Sequence, residues 1–138
     1  MFLVDTNVIS EARKGVRANP GVQRFFATAD QRRMPLYLSV VTIGELQRVV
    51  ERIRYRGDRR QADQLDQWLE RILVDYADSI LGVDGEVARV WGSLRAPHSQ
   101  HALDKLIAAT ALLYDLTVVT RNQTDFEPSM RAVLNPFE

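Results

Sequence analysis

The chain has 138 residues, 18 basic against 18 acidic, hence zero formal net charge, no cysteine, and a hydrophobic share of 46%. That length suffices for one domain with a real core, and the composition is that of a globular chain. The missing cysteines exclude disulfides, thiolate metal sites and a cysteine nucleophile, and the balanced charge argues against gripping nucleic acid by bulk electrostatics.

No apolar run approaches the roughly 18 residues of a membrane span. No basic segment followed by an apolar stretch opens the chain, so a cytoplasmic protein without signal peptide or membrane contact is expected. The cations are skewed, 16 Arg against 2 Lys. Guanidinium groups contact phosphates and carboxylates in a planar, bidentate way, so any nucleic-acid contact should be a local arginine patch.

Phe2 to Val4 reads as a strand, and Thr6 to Lys14 as a short helix. Asn19-Pro20 looks like a helix start; Val22, Phe25, Phe26 and Ala29 then recur at helical spacing as far as Arg33. Leu36 to Val41 is apolar and β-branched enough for a second buried strand. A helix is expected from Thr42 to about Arg56, with Ile43, Leu46, Val50 and Ile53 inward. Gly57-Asp58 is a turn; from Gln61 to Tyr76, Leu65, Trp68, Leu69, Ile72, Leu73 and Tyr76 form one stripe. Ser79 to Val83 is a third strand, and Asp84 an N-cap for a helix through Leu94. Ala96 to Ala102 is a loop, Leu103 to Tyr114 an apolar helix, Leu116 to Val119 a fourth strand, and Ala132 to Leu134 a candidate fifth. Strands alternating with helices predict a three-layer α/β/α sandwich on a parallel sheet of four to five strands, with residues 1–138 forming a single domain.

Four carboxylates stand out by position, and each also has a plainer reading. Asp5 follows the first strand, where it would either ligate a metal or cap the next helix. Glu45 lies three residues after Thr42; Thr-x-x-Glu is a capping box, which alone would explain it. Asp104 falls in a helix first turn, where the macrodipole favours an acid. Asp125 belongs to Thr120-Arg121-Asn122-Gln123-Thr124-Asp125, which also reads as a polar turn. Their joint placement carries more than any one of them. Asp5, Glu45 and Asp125 each follow the carboxyl end of a different strand, and Asp104 can reach the same edge, where parallel sheets bind ligands. Oxygen ligands without His or Cys describe a Mg²⁺ or Mn²⁺ site. Without an ion such acids repel and some protonate. Acidic metal sites handle phosphates, so phosphodiester hydrolysis by metal-activated water is the expected reaction. With Asp5 a ligand, the cap of the first helix would fall to Thr6 or Asn7, and Asn122 could add a neutral oxygen.

Between positions 48 and 60 stand six arginines. Arg48, Arg52 and Arg56 fall within about 60° of Glu45 on a helix, a stripe suited to phosphates or an acidic partner; the plainer reading is a solvated face. His98 and His101 are too few for a zinc site and read as a surface loop. Ser10, Ser39, Ser79 and Ser93 have no nearby histidine, and no glycine-rich loop matches a nucleotide fingerprint.

Taken in order, Leu3-Val4-Asp5-Thr6-Asn7-Val8-Ile9-Ser10-Glu11, Ser39-Val40-Val41-Thr42-Ile43-Gly44-Glu45-Leu46, Val87-Ala88-Arg89-Val90-Trp91-Gly92, Asp104-Lys105-Leu106-Ile107-Ala108-Ala109-Thr110-Ala111, Thr120-Arg121-Asn122-Gln123-Thr124-Asp125-Phe126 and Leu134-Asn135-Pro136-Phe137 span nearly the whole chain. This ordered set resembles the PIN-domain family, specifically the VapC/FitB-type toxins of bacterial toxin–antitoxin pairs. The resemblance implies a Mg²⁺- or Mn²⁺-dependent endoribonuclease with an RNA substrate. It implies a VapB-like antitoxin whose C-terminal segment fills the active-site groove, a homodimer, toxin–antitoxin hetero-oligomers, and DNA contact only through the antitoxin. The family's acidic positions fall on Asp5, Glu45, Asp104 and Asp125, as catalytic residues and metal ligands; Thr6, Asn7 and Asn122 match supporting positions, with Thr120 a further candidate. Lys105 departs from the family, where many members carry a small residue; its ammonium would pair with Asp104 or point to solvent. The alternatives are a cleavage-inactive RNA- or antitoxin-binding module of the same fold, and a small phosphatase, for which Asn7 stands where a second acid is wanted.

Overall fold

The computed structural model describes residues 1–138. β1 (Phe2–Val4) leads directly into α1 (Thr6–Ala12). A single 3-10 turn, Gly15–Arg17, precedes α2 (Pro20–Gln31). β2 (Leu36–Ser39) runs without a loop into α3 (Val40–Tyr55), which is followed by α4 (Arg59–Asp75). Then come β3 (Ile80–Leu81), α5 (Gly85–Arg95) and α6 (Ala102–Tyr114). β4 (Thr117–Val119), α7 (Gln123–Phe126) and β5 (Val133–Leu134) complete the chain.

All strands are parallel, in the order β3-β2-β1-β4-β5. β1 is therefore central. The chain winds outward through β2 and β3 on one side, then returns to build β4 and β5 on the other. The two halves part between β1 and β4, the switch point past whose carboxyl ends such sheets place ligands. Alternate strand residues serve opposite faces. Val4, Leu38 and Val119 join Val8, Val22, Leu46 and Leu69 in one core. Leu3 and Val118 join Ile107, Ala108, Ala111 and Phe126 in the other. Helices thus cover both faces, as the alternation of elements predicts.

The local differences have physical causes. The second strand stops at Ser39, because the Ser39 Oγ accepts a hydrogen bond from the Val41 N–H at 3.0 Å and caps α3. Val40 and Val41, β-branched and expected in the strand, open the helix instead. Thr42 is then already inside the first turn and buried, so the Thr-x-x-Glu pattern is not a capping box and Glu45 lies beyond the helix start. β3 is two residues long rather than five. Leu73, which the spacing puts on the inward stripe of α4, is exposed at 40%. A short helix, α7, forms where a polar turn is expected. The alanines of α6 do what their size allows. Ala108, Ala109 and Ala111 are fully buried, which brings the helix close to the sheet and its neighbours.

Ser39→Ala should lower the denaturant midpoint at unchanged m-value, a loss of about 1 kcal/mol. An unchanged midpoint in urea unfolding would put the start of α3 elsewhere.

Candidate functional site

β1 delivers Asp5 to the carboxyl edge of the sheet, where its N–H donates to the Val119 carbonyl at 2.9 Å. The residue is only 4% exposed, so its charge needs local partners. Three donors meet it. Its Oδ1 accepts from the Thr6 N–H at 2.8 Å; its Oδ2 accepts from the Thr120 hydroxyl at 2.8 Å and from the Asn7 amide at 3.2 Å. Asp5 is thus itself the N-cap of α1, not Thr6 or Asn7. Its extended backbone, φ −73° and ψ 159°, turns the carboxylate onto the first free N–H of the helix.

Thr6 extends this network. Its hydroxyl donates to Glu45 Oε1 at 2.8 Å and pairs with the Thr42 hydroxyl at 3.1 Å. Asn7 ties the loop after β4 to the start of α1, its Oδ1 accepting from the Arg121 N–H at 3.0 Å. Thr120 is wholly buried and also accepts from the Asn122 N–H at 3.0 Å. Thr120 therefore touches Asp5 directly. Asn122 is exposed and contributes its backbone, its side chain making no hydrogen bond.

Asp104 projects from the first turn of α6. Its pKa is pushed up to about 6, first by burial and then by the negative charges of Asp5, Asp125 and Glu45, with His101 opposing. Burial foremost also raises Asp5, against the lowering hydrogen bonds from Thr120 and Thr6. Asp104 therefore feels the other three acids, and Asp5 feels Glu45, as their order along the sheet edge suggests.

Two residues depart from expectation. His101 is not a bystander in a surface loop: its Nδ1 lies 3.8 Å from Asp104 Oδ2 and its Nε2 3.8 Å from Asp125 Oδ1. The spacing of three residues before Asp104 was the available signal, since residues three apart are neighbours on a helix. Lys105 neither pairs with Asp104 nor reaches solvent. It is 7% exposed, and its ammonium donates to the carbonyls of His98 and Gln100. Adjacent helical side chains diverge, so Lys105 points away from the acids.

Arg48, Arg52 and Arg56 are exposed and line, with Glu51 and Tyr55, a shallow depression on α3. None of the three is in a salt bridge; it is Arg54 that takes Glu51, Asp63 and Asp66. The stripe is therefore free cationic surface on the helix that carries Glu45.

The donor chemistry suits a divalent ion. Glu45, Asp104 and Asp125 are only partly buried around the buried Asp5, and a cation among them would relieve both the burial and the neighbouring negative charges that raise Asp104. Oxygen ligands of this kind suit Mg²⁺ or Mn²⁺.

The PIN domain profile matches residues 2–127. The toxin FitB of Neisseria gonorrhoeae is 36% identical, over 99% of this chain and 99% of its own length. The VapC ribonuclease Y4jK of Sinorhizobium fredii is 31% identical, over 100% of this chain and 99% of its own. The crystal structure of FitAcB from Neisseria gonorrhoeae superposes with a TM-score of 0.83 at 33% identity, covering 99% of this chain and 98% of that one.

Because the folded-state pKa of Asp104 is raised from 3.8 to about 6, its ionisation destabilises the metal-free protein. The stability it contributes is complete below about pH 4 and is lost as pH rises through about 6. In EDTA, Asp104→Asn should melt about 3–6 °C above the unsubstituted chain at pH 7.5 and show no advantage at about pH 4. Melting curves across this range check it; equal melting temperatures at both ends would mean that Asp104 ionises in the fold without cost.

Proposed function

The chain belongs to the PIN-domain family, and from that membership we propose that it is the toxin of a toxin–antitoxin pair, an endoribonuclease dependent on Mg²⁺ or Mn²⁺. The observation that carries this reading is the placement of four carboxylates past the sheet's switch point, Asp5 and Glu45 joined through Thr6, and Asp104 and Asp125 each 3.8 Å from the His101 ring. The similarity to a toxin and to a VapC ribonuclease along their whole lengths supports it.

Asp5, Glu45, Asp104 and Asp125 would hold the ion. When bound, a divalent ion supplies a Lewis acid and a counter-charge for a phosphodiester. The chain's own groups set the geometry. Thr6, Asn7 and Thr120 fix the Asp5 carboxylate on three sides, and Thr6 also orients Glu45. Asn122 steadies Thr120 through its N–H. Asp104, whose carboxyl is pushed up to about 6, would hold the ion as a carboxylate above that pH. Arg48, Arg52 and Arg56 then offer guanidinium groups to the RNA backbone along α3.

The partner in this reading is a VapB-like antitoxin whose C-terminal segment lies in the acidic groove and blocks it. The assembly is a toxin homodimer within a larger toxin–antitoxin complex, and DNA is reached only through the antitoxin, as the zero net charge of this chain suits. Residues 1–138 act as a single nuclease domain in the cytoplasm; no helix is long and apolar enough to cross a membrane.

Purified chain freed of antitoxin should cut structured RNA with Mg²⁺ or Mn²⁺. EDTA should abolish cleavage, and Asp5→Asn should lower its rate about 100-fold or more while shifting melting far less. RNA binding without cleavage in either metal would instead favour the inactive module, and turnover of a phosphomonoester with RNA intact a phosphatase. Replacing Arg48 and Arg52 with Gln should weaken RNA binding and flatten the slope of log K against log salt by about 1–2. Unchanged affinity and slope would remove the arginine stripe from the reading.

A further inference from the structure

His101 belongs to none of the roles assigned so far, yet its ring lies between two of the four acids. One nitrogen is 3.8 Å from Asp104 and the other 3.8 Å from Asp125. Those distances exceed a hydrogen bond, so the ring is near both carboxylates and bonded to neither. One ligand atom from each of His101, Asp104 and Asp125 falls within 4.8 Å of the other two. Ligands on a common ion at about 2.1 Å stand about 3 Å apart when adjacent and about 4.2 Å when opposite. Side-chain movements of about an ångström would bring the three onto one ion.

The backbone aims the ring there. His101 holds a left-handed conformation, φ 54° and ψ 49°, at the start of α6, and its side chain caps nothing. That region is uncommon for a residue with a Cβ. The segment before it is pinned from beneath by Lys105, whose buried ammonium donates to the carbonyls of His98 and Gln100. The lysine leaves the acids uncontacted and holds the His98–Ser99 and Gln100–His101 peptide units, the second joined directly to the histidine.

We propose that His101 supplies an imidazole nitrogen to the metal centre beside the carboxylates, making it a mixed nitrogen–oxygen site that favours Mn²⁺ over Mg²⁺, with Lys105 as the positioning residue. This rests on the metal-centre reading given above. Mg²⁺ takes oxygen ligands and yields its waters reluctantly, whereas imidazole suits first-row transition ions. A four-carboxylate site without the histidine has no such reason to discriminate.

Untagged chain is titrated with Mn²⁺ and with Mg²⁺ by calorimetry, and the Mn²⁺-loaded chain is examined by pulsed EPR. Mn²⁺ should bind more tightly than Mg²⁺ and show nitrogen hyperfine coupling that survives His98→Ala and disappears in His101→Ala. His101→Ala should weaken Mn²⁺ about 10-fold and change Mg²⁺ by less than about 2-fold. Lys105→Met should weaken Mn²⁺ in the unsubstituted chain and add nothing in the His101→Ala background, a coupling that a merely structural lysine would not show. Mn²⁺ bound without nitrogen coupling, or bound as tightly or more tightly by His101→Ala, overturns the inference and makes the imidazole a counter-charge. If Asp104→Asn still weakens both ions in that case, the carboxylate centre stands without it. Failure of the unsubstituted chain to bind either ion overturns both.

Discussion

Burying one carboxylate at the end of the central strand is the constraint on which this structure turns. An ionised Asp5 inside an apolar sheet would be prohibitive without donors. The donors come from two places far apart in sequence: the start of α1 (Thr6 and Asn7) and the residue after β4 (Thr120). Satisfying one charge thus fixes the α1 entry against the β4 exit. Thr6 carries the constraint further, to Glu45 on α3. The hydrophobic layers make the sandwich stable, but they do not specify these junctions; hydrogen bonds to a buried charge do.

Short connections follow from the same requirement. β1 is joined to α1 through Asp5 alone, and β2 to α3 through no loop at all. In both cases the residue at the strand's end caps the helix with its own side chain, Asp5 in one and Ser39 in the other. A strand that becomes a helix at once aims the first turn of that helix along the sheet edge. Glu45 and the Asp5 network consequently share a rigid frame. α6 reaches the edge differently: its alanine face permits close packing, and Asp104 sits in its first turn.

The alternation of strand and helix was legible because apolar spacing at period 2 and 3.6 reports which face is buried. The parallel sheet followed, as did the edge that gathers the acids. What the sequence hid were contacts closed over long separations. Val40 and Val41 have strand propensity, but Ser39 caps the backbone before they can extend the sheet. Thr120 looked secondary, and only the register of β4 beside β1 reveals that it touches Asp5. Lys105 was opaque for the same reason, and His101 showed only through its place three residues before Asp104. A left-handed backbone and two carbonyls decide where those side chains go, and neither leaves a periodic trace.

The acids are not equivalent, and the difference bears on how such a site works. Asp5 and Glu45 are held by protein donors on elements anchored in the sheet. The Asp104 and Asp125 side chains have no comparable donors; each faces only the His101 ring at 3.8 Å. One half of the site is therefore preorganised and the other is compliant. A preorganised half lowers the ordering cost of binding, because its carboxylates already occupy one geometry. A compliant half adjusts its distances to whatever cation, or cationic side chain, enters. Burial first raises both Asp5 and Asp104, but hydrogen bonds from Thr120, Thr6 and Asn7 oppose it at Asp5, whereas Asp104, pushed up to about 6, adds the charges of Asp5, Asp125 and Glu45 to its burial and has a single imidazole opposing them.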